Sequence, residues 1–466
     1  MTATEAAGAV PAYAPRLPGG HLPWLGPVRA FGRDPVGLLS AARERVGNAF
    51  RFPLLGQEVH FACGPRAHAA FFGADETVLS AREAYRFMTP VLGQGVAYDA
   101  EPTEMEQQIG HLLPALGSRR LEAHARVMEE ESEAHVARWA DAGEIDLLAE
   151  LNRLTVSIAA RCLVGDGFHR RMGPQLATLY RDLESGIRLA GVLSPKAPLP
   201  AFRRRDRARA AIASAIAEVI AERRAAPGRA TGHQDVLATL LQASDDRGKR
   251  LPDETVTGIL LTMIFAGQHT SAVLATWTGL LLLRHPRHLD AVTAEQFGVL
   301  GAQGHVTPQA LHRMDLLERC VREAERLHPP LTVLMRKALR DLTLDGHAVK
   351  AGSLVMVSPA VAHRMPDVFR EPDRFDPSRY LPPRCEHRPP YSLIGFGGGK
   401  RRCVGLAFAY QQVKTVWSVL LRRVELTSTG GEPRPDYSTF VAAPALPRSV
   451  RYRKLPPETG NTTRDP

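Results

Sequence analysis

A glycine-rich, cationic loop around one cysteine is the segment of the sequence best suited to carry chemistry. The stretch GFGGGKRRCVG, residues 395–405, places Cys403 directly after Lys400, Arg401 and Arg402. Neighbouring cations lower the pKa of a thiol and favour the thiolate, which is the form that binds metals. Side chains on such a loop would collide with a large flat ligand, and glycines avoid that collision. The loop therefore predicts a thiolate that approaches a macrocyclic metal cofactor, rather than a buried structural cysteine.

A polar interruption in an apolar stretch is the second candidate. The segment AGQHTS, residues 266–271, lies at the centre of an apolar run over 259–283 that is long enough to cross a bilayer. Polar groups at the centre of such a run are costly and usually mark a functional site. We interpret the run as the central helix of a large core that begins near Pro252 and ends near Pro286, and not as a membrane anchor.

A charged pair in a helical segment is the third candidate. Glu323 and Arg326 are spaced E-x-x-R in the helix predicted over 317–327, and Arg374 follows in the sequence EPDRF. An ordinary exposed pair at this spacing is worth roughly 0.2–0.5 kcal/mol, so either motif alone would be assigned no function.

The composition is that of a globular protein from a reducing compartment. Of 466 residues, 44% are hydrophobic and 23% are charged, and the five cysteines form no C-x-x-C pair. A disulfide framework or a zinc knuckle is therefore not expected. We expect a cytoplasmic location instead. The net charge is +10, but no basic stripe with interleaved aromatic residues is present, which argues against nucleic acid as a partner.

Helices are the elements that must position these residues. Helical spacing with charged faces covers 120–142, 203–226 and 317–327, whereas strand-like runs lie within 49–63 and 353–360. The predicted fold class is mostly α with small β-sheets.

One domain is predicted to contain all of these segments. Residues 1–20 are rich in Ala, Pro and Gly without the features of a signal peptide, and they predict a flexible lead-in. We expect a single domain over 21–455 and a flexible tail over 456–466.

The spacing around the cysteine resembles the heme-binding loop of the cytochrome P-450 family. The pattern F-x-x-G-x-R-x-C-x-G is met by Phe396, Gly399, Arg401, Cys403 and Gly405. The resemblance implies the cytochrome P-450 fold, with the long central helix over heme b (iron protoporphyrin IX), and Cys403 as the axial ligand of the iron. It also implies contacts of the loop with the cofactor through Phe396, Gly397 and Gly405.

The other two motifs match the same family. There, E-x-x-R and a second arginine form a buried ion-pair network behind the heme, which implies that role for Glu323, Arg326 and Arg374. In the central helix, Gly267 after Ala266 would open the helix for dioxygen. Thr270 would help to deliver protons, and His269 replaces the acid that the family usually has.

That histidine narrows the resemblance to the sterol 14α-demethylase branch. A second signature of the branch is matched by Tyr85, Phe87, Pro90, Gly93, Val96, Tyr98 and Asp99. Three positions depart from the branch: Leu92 replaces a phenylalanine, Glu106 replaces a cation that pairs with a heme propionate, and Arg188 lies near the place of an acid that partners the histidine.

The resemblance also implies contacts with the propionates and the substrate. The expected propionate partners are Arg401 and Arg336, with Tyr85 as a possible third. The residues expected to line the substrate pocket are Phe87, Met88, Val333 and Leu334.

A monooxygenase reaction is implied, in which one oxygen atom of O2 enters a C–H bond of a bulky lipophilic substrate. A thiolate ligand promotes O–O cleavage. The chain has no flavin or iron–sulfur segment, so NAD(P)H-derived electrons are expected through ferredoxin reductase and ferredoxin. An acidic ferredoxin would dock on basic residues, which we expect to include Lys400, Arg402, Lys414, Arg422 and Arg423. We expect a monomer without a membrane anchor.

Two classes of function remain open. Thr270 beside Gly267 favours an oxygenase over a heme-thiolate sensor, because a sensor needs no proton relay. Among oxygenases, a sterol or triterpenoid demethylase competes with an enzyme of secondary metabolism that has diverged from the sterol branch. The departures at Glu106 and Arg188 favour the enzyme of secondary metabolism.

Overall fold

The computed structural model describes residues 12–18, 26–187, 198–226, 235–244, 248–301 and 304–456. They belong to two compact units. The first is formed by Met1–Tyr85, Thr332–Pro372 and Cys385–Arg402. The second is formed by Arg86–Leu331, Asp373–Arg384 and Cys403–Pro466. Helices predominate and the sheets are small, which confirms the predicted fold class.

The described helices and strands are numbered in chain order. The strands are β1 (Ala49–Leu54), β2 (Gln57–Ala62), β3 (Leu79–Ser80), β4 (Ala142–Asp146), β5 (Leu334–Ala338), β6 (Leu342–Leu344), β7 (His347–Val349), β8 (Leu354–Val357), β9 (Val424–Ser428), β10 (Pro435–Asp436), β11 (Ala443–Pro444) and β12 (Ser449–Lys454). The helices are α1 (Val28–Arg33), α2 (Pro35–Val46), α3 (Pro65–Gly73), α4 (Ala81–Ala84), α5 (Thr89–Leu92), α6 (Pro102–Ala115), α7 (Ser118–Ala137), α8 (Leu147–Leu163), α9 (Asp166–Met172), α10 (Gln175–Glu184), α11 (Pro200–Ala225), α12 (Val236–Gln242), α13 (Asp253–Arg284), α14 (Pro286–Leu300), α15 (Pro308–Arg313), α16 (Asp315–Leu327), α17 (Pro359–Ala362) and α18 (Leu406–Arg423).

A five-stranded sheet in the order β1-β2-β8-β5-β3 is the frame of the first unit. Its pairs are antiparallel except β2–β8, which is parallel. The predicted strands at 49–63 form the β1–β2 hairpin, in which Gly56 (φ +77°) occupies a left-handed position of the turn. Phe50 and Phe61 stack across the hairpin with ring centroids 4.8 Å apart. The alternation of buried aromatic residues therefore fixes the register of this pair.

The N-terminal segment 12–18 packs against this sheet. The backbone N–H of Arg51 donates to Pro15 O at 2.9 Å, and the N–H of Leu17 donates to Arg51 O at 2.8 Å. Ala14 and Leu17 are buried. The prediction of a flexible lead-in was therefore wrong for these residues, and the rest of the segment 1–20 lies outside the described residues.

Helix α13 is the core of the second unit. It begins after Pro252 and ends before Pro286, as the sequence predicted. It is long and apolar enough to cross a membrane, but 61% of its most apolar window is buried in the protein. Trp417 of α18 packs into the notch left by Gly279, where a side-chain carbon would lie 2.0 Å from the indole ring. The Trp417 Nε1–H donates to Ala275 O at 2.9 Å and fixes the two helices in register.

A buried carboxylate in the second unit is bound by two guanidinium groups. Glu323 of α16 accepts hydrogen bonds from Arg326 Nε and Arg379 Nε, both at 2.8 Å. The Tyr380 hydroxyl donates to the same carboxylate at 2.9 Å. The three charged side chains are fully buried. Glu323 thereby ties the end of α16 to the segment 374–380.

The second arginine of this network was misassigned from the sequence. Arg374 is exposed, and its main-chain carbonyl accepts from Arg326 Nη2 at 3.2 Å and from Arg379 Nη2 at 3.1 Å. The buried guanidinium that reaches Glu323 belongs to Arg379, five residues further along. A fully buried carboxylate needs a partner at a buried position, and the sequence did not reveal which of the two arginines occupies one.

We predict that Arg379→Met lowers the free energy of unfolding by about 3–5 kcal/mol, because it leaves the Glu323 carboxylate with one guanidinium in a buried site. Arg374→Met is the matched control, since the Arg374 side chain is exposed and the substitution keeps the main-chain carbonyl that accepts from both guanidinium groups. Denaturant unfolding of both purified variants measures the difference. An equal loss of stability in the two variants would contradict the assignment.

Candidate active site

The glycine-rich loop of the first unit is shaped by close packing against α3. Gly397 (φ +70°) and Gly399 (φ +60°) have left-handed conformations that favour glycine. A side-chain carbon at Gly399 would lie 2.3 Å from Phe72 O, and one at Gly398 would lie 3.0 Å from the Phe72 ring. The sequence suggested that the glycines only make room for a cofactor. Two of them instead make room for Phe72.

Cys403 differs from the other cysteines in its exposure. Cys63, Cys162 and Cys320 are buried. Burial raises the pKa of the Cys63 and Cys320 thiols to about 12, and it raises the pKa of Cys162 further. These three remain protonated thiols at neutral pH. Among the five cysteines, all of which the structure describes, Cys403 alone is exposed, and Cys385 is intermediate.

The cysteine also lies close to the start of a long helix. Gly405 is the N-cap residue of α18, so Cys403 is two residues before the cap. The N-terminus of a helix favours a negative charge, and a thiolate is such a charge. A side-chain carbon at Gly405 would lie 3.8 Å from the Cys403 sulfur, an ordinary contact. Within the described residues, the cysteine itself therefore does not require glycine at this position.

Two arginines and one glutamate form a charged cluster in the first unit. Arg401 Nε donates to Glu76 Oε1 at 2.9 Å, and Arg336 Nη1 donates to Ala74 O at 3.0 Å. Burial lowers the pKa of Arg336, the Glu76 carboxylate opposes that shift, and the nearby Arg401 adds to it. The cluster carries one net positive charge.

One nitrogen of this cluster has no acceptor among the described residues. Arg401 Nη1 is buried and makes no hydrogen bond to any of them. The other oxygen of the Glu76 carboxylate, Oε2, accepts from the Ala81 N–H at 3.1 Å. A buried N–H without a partner is costly, so this nitrogen fits an anionic group of a bound cofactor. Tyr85, the third expected partner, is buried in the same unit, and its hydroxyl oxygen accepts from the Met335 N–H at 3.1 Å.

The centre of α13 is more accessible than the rest of the helix. Ala266 is exposed, and Gly267, His269 and Thr270 are partly exposed, between long buried stretches. A side chain at Gly267 would meet no atom of the described chain within 4 Å, so one side of the helix is open here. The Thr270 hydroxyl donates to Ala266 O at 2.6 Å. This bond to the preceding turn fixes the position of the hydroxyl.

A carboxylate partners His269, contrary to the expectation from the sequence. His269 Nδ1 lies 2.7 Å from Glu184, the last residue of α10. Arg188, which suggested that the acid was missing, lies outside the described residues. The acid is four residues earlier in the chain, in the sequence LESGIRLAG. Glu184 and His269 are 85 positions apart, so no local pattern in the sequence indicated that they are in contact.

The residues expected to contact substrate differ in accessibility. Met88 is 2% exposed, whereas Phe87 is partly exposed and packs edge to face with Phe440, with centroids 6.3 Å apart. Phe440 was not identified from the sequence. In the first unit, Val333 and Leu334 are partly exposed, as is Phe396 of the loop.

Two of the cations expected on a docking surface are buried. Lys414 is 4% exposed and donates to Glu318 at 3.0 Å, and Arg422 is 5% exposed and donates to Ser418 O at 3.1 Å. These two assignments to a docking surface were wrong, because the face of α18 that carries Lys414 and Arg422 is packed in the core. Lys400 and Arg402 are exposed. Arg423 is exposed and pairs with Glu133, and Glu106 is exposed on α6.

Comparison with known proteins finds relatives along nearly the whole chain. The family model described as Cytochrome P-450 matches residues 15–451. The chain is 35% identical over 440 residues to a sterol 14-demethylase of Arabidopsis thaliana, covering 93% of this chain and 90% of the relative. It is 36% identical over 446 residues to a sterol 14alpha-demethylase of Mycobacterium tuberculosis, covering 94% of this chain and 98% of the relative. The solved structure of the cyanobacterial protein CYP120A1 with bound retinoic acid superposes with a TM-score of 0.85 at 26% identity, covering 96% of this chain and all of that one.

We predict that Glu76→Gln speeds the loss of heme from the purified protein by roughly 10-fold, the lower range for groups that orient a cofactor's ligands. The substitution removes the negative charge that pairs with the Arg401 guanidinium. Heme transfer to an excess of apomyoglobin measures the rate. Glu58→Gln is the control, because Glu58 pairs with Arg51 elsewhere in the same unit. Unchanged heme loss in Glu76→Gln would show that Glu76 does not support cofactor binding.

Proposed function

The chain belongs to the cytochrome P-450 family and is a monooxygenase that uses heme, dioxygen and external electrons, and we propose that it oxidises a bulky lipophile of sterol or triterpenoid size. The observation that carries this proposal is the contact between His269 and Glu184 beside Thr270 in α13. A heme-thiolate sensor has no use for a positioned proton donor at the centre of its core helix. An oxygenase does, because reduction of dioxygen consumes protons.

The residues fit heme b as the cofactor. Cys403 has the only exposed thiol among the five cysteines, and it is the residue that would bind the iron. The buried Nη1 of Arg401 lacks an acceptor within the described residues and suits a propionate, with Arg336 as the second partner. When bound, heme with a thiolate ligand supplies the activation of dioxygen. The chain supplies the thiolate, the propionate partners and a proton path.

Glu184 determines how His269 handles protons. A carboxylate at Nδ1 holds the imidazole ring in one orientation and accepts a hydrogen bond from the N–H at that position. Nε2 is then the nitrogen that exchanges protons with the open side of α13 at Gly267. The Thr270 hydroxyl, held by Ala266 O at 2.6 Å, is the proposed last donor of the path.

The proposed electron donor is a ferredoxin reduced by a ferredoxin reductase and NAD(P)H. Lys400 and Arg402 are exposed cations next to Cys403 in the chain, and they suit an acidic protein partner. Electrostatic steering of this kind weakens with added salt. We place the protein in the cytoplasm as a monomer.

Sterol 14α-demethylation is a second candidate for the reaction. Two relatives carry that activity in their names, and the Glu184–His269 contact removes one of the two departures that argued against it. Glu106 is the departure that remains, since an acid stands where the branch has a cation. That position favours an oxidase of secondary metabolism over a sterol 14α-demethylase.

The experiment that tests the proposal is product analysis with purified protein, ferredoxin, its reductase and NADPH. We expect a product heavier by one oxygen atom from at least one member of a panel of triterpenoids and lipophilic metabolites. Lanosterol in the panel identifies a true demethylase by loss of its 14α-methyl carbon. Cys403→Ala should lose all products and the carbon monoxide band of thiolate ligation, whereas Cys385→Ala should keep both. Absence of products from every compound, with the band intact, would favour a sensor.

We predict that Glu184→Gln and His269→Ala lower product formation per NADPH by about 100-fold, the lower range for a positioned acid or base. Peroxide should be released in place of product, with the heme content unchanged. Asp182→Asn is the control, because Asp182 lies on α10 two residues from Glu184 and its carboxylate faces Arg204, 4.0 Å away, instead of His269. If the two variants kept full coupling, protons would reach dioxygen by another route.

A further inference from the structure

An arginine without a carboxylate partner among the described residues lies on helix α11 of the second unit. The Nη2 atom of Arg209 is 2.6 Å from the place that a side-chain carbon would take at Gly93, a residue with φ +119° that follows α5. The guanidinium therefore covers the main chain of this glycine. Its Nε is buried and has no hydrogen-bond partner, and Arg209 forms no ion pair within the described residues.

The same helix contains a matched site that is complete. Near its other end, Arg223 covers Gly165 (φ +104°), and its Nη2 likewise lies 2.6 Å from the place that a side-chain carbon of that glycine would take. There the Asp235 carboxylate accepts from both Nη1 and Nη2 of Arg223 at 2.7 Å. Two arginines of one helix thus cover two left-handed glycines, and only one of them has its carboxylate within the described residues.

Other features of the helix make the missing carboxylate significant. Arg205, one turn before Arg209, is buried and donates from Nε to Asp206 at 2.7 Å. A guanidinium is always charged, and a buried N–H of it without an acceptor, such as Nε of Arg209, is costly. Val91, Leu92 and Val96 near Gly93 are buried and apolar, and the Asp99 carboxylate of the same loop accepts from the Gly95 N–H at 2.9 Å. The chain therefore places a cation against a largely apolar segment, an arrangement that suits an anion carried by an apolar molecule.

The elements around Arg209 also bear the proposed reaction centre. Helix α5 contacts both α11 and α13. Val96, in the loop after α5, packs onto α13 so closely that a side-chain carbon at Gly258 would lie 2.9 Å from it. Gly258 precedes Ala266 by eight residues, which is about 12 Å along an α-helix. A ligand that extends along α13 from Gly258 to Ala266 spans about 12 Å.

We propose that Arg209 binds the carboxylate of a lipophilic acid, and that such an acid is the substrate class of this enzyme. The inference rests on the proposed monooxygenase function. The carboxylate takes the place at Arg209 that Asp235 takes at Arg223, as a bidentate, charge-assisted pair. The carbon that reacts is remote from the carboxylate, near Ala266 and Thr270. One oxygen atom enters a C–H bond there, and two electrons and two protons convert the other to water.

The test compares acids with their methyl esters. Retinoic acid, hexadecanoic acid and dehydroabietic acid, and the three esters, are titrated into the heme-loaded protein at about pH 7.5 while the heme absorption is followed. We expect at least one acid to bind about 10- to 100-fold more tightly than its ester, as a hydrogen-bonded charge pair provides. Arg209→Gln should abolish this preference, and Arg209→Lys should retain part of it. Arg207→Gln removes the same charge from an exposed position two residues away and should leave the preference unchanged.

The outcomes separate this inference from the proposed function. If no acid binds more tightly than its ester, or if the preference survives Arg209→Gln, the inference is wrong. In that case oxidation of lanosterol or another neutral lipophile would leave the monooxygenase proposal standing. The carbon monoxide band, measured on each variant, shows that heme and thiolate remain in place. If Arg209→Gln loses the band, Arg209→Lys takes its place in the comparison. A partial loss of the preference for acids in Arg209→Lys supports the inference, and an undiminished preference contradicts it.

Discussion

The fully buried carboxylate of Glu323 is the interaction on which the second unit most depends. Taking three charged side chains out of water costs several kcal/mol for each ion, and only close geometry offsets that cost. Here the carboxylate oxygens accept hydrogen bonds from two guanidinium groups and a hydroxyl at 2.8–2.9 Å. The network tolerates no displacement of α16 against the segment 374–380. The segment 374–380, which belongs to no α-helix or β-strand, thereby acquires one defined path.

Helix α13 combines a structural role with a chemical one. Its two ends are apolar and close-packed, as the contact of Trp417 with Gly279 demonstrates. Its centre has an open side at Gly267 and a histidine whose carboxylate partner comes from α10. The packing of the ends supplies the stability that the polar centre does not. A helix of this length can therefore hold the His269–Glu184 pair at its centre without losing its position.

The sequence predicted what local patterns determine and missed what distant contacts determine. Cys403 and its loop, the bounds of α13 and the β1–β2 hairpin follow from spacing, caps and alternation within short segments. Arg379 and Glu184 were missed because each acts through a partner more than 50 residues away, and because Arg374 and Arg188 were plausible neighbours in the sequence. Lys414 was misplaced for a related reason: a lysine in a helix is usually exposed, and only tertiary packing buries it.

The packing of Phe72 against the glycine-rich loop has a consequence for cofactor binding. A loop with glycines at 395 and 397–399 would be expected to sample many conformations, and ordering it around a ligand would lose much entropy. In this protein the loop is already pressed onto Phe72 by main-chain contacts that no other residue type would allow. The entropy is lost when the chain folds, not when the cofactor enters. The glycines therefore serve preorganisation, and a smaller residue in place of Phe72 would remove the ring contact at Gly398 while the main-chain contact at Gly399 remained.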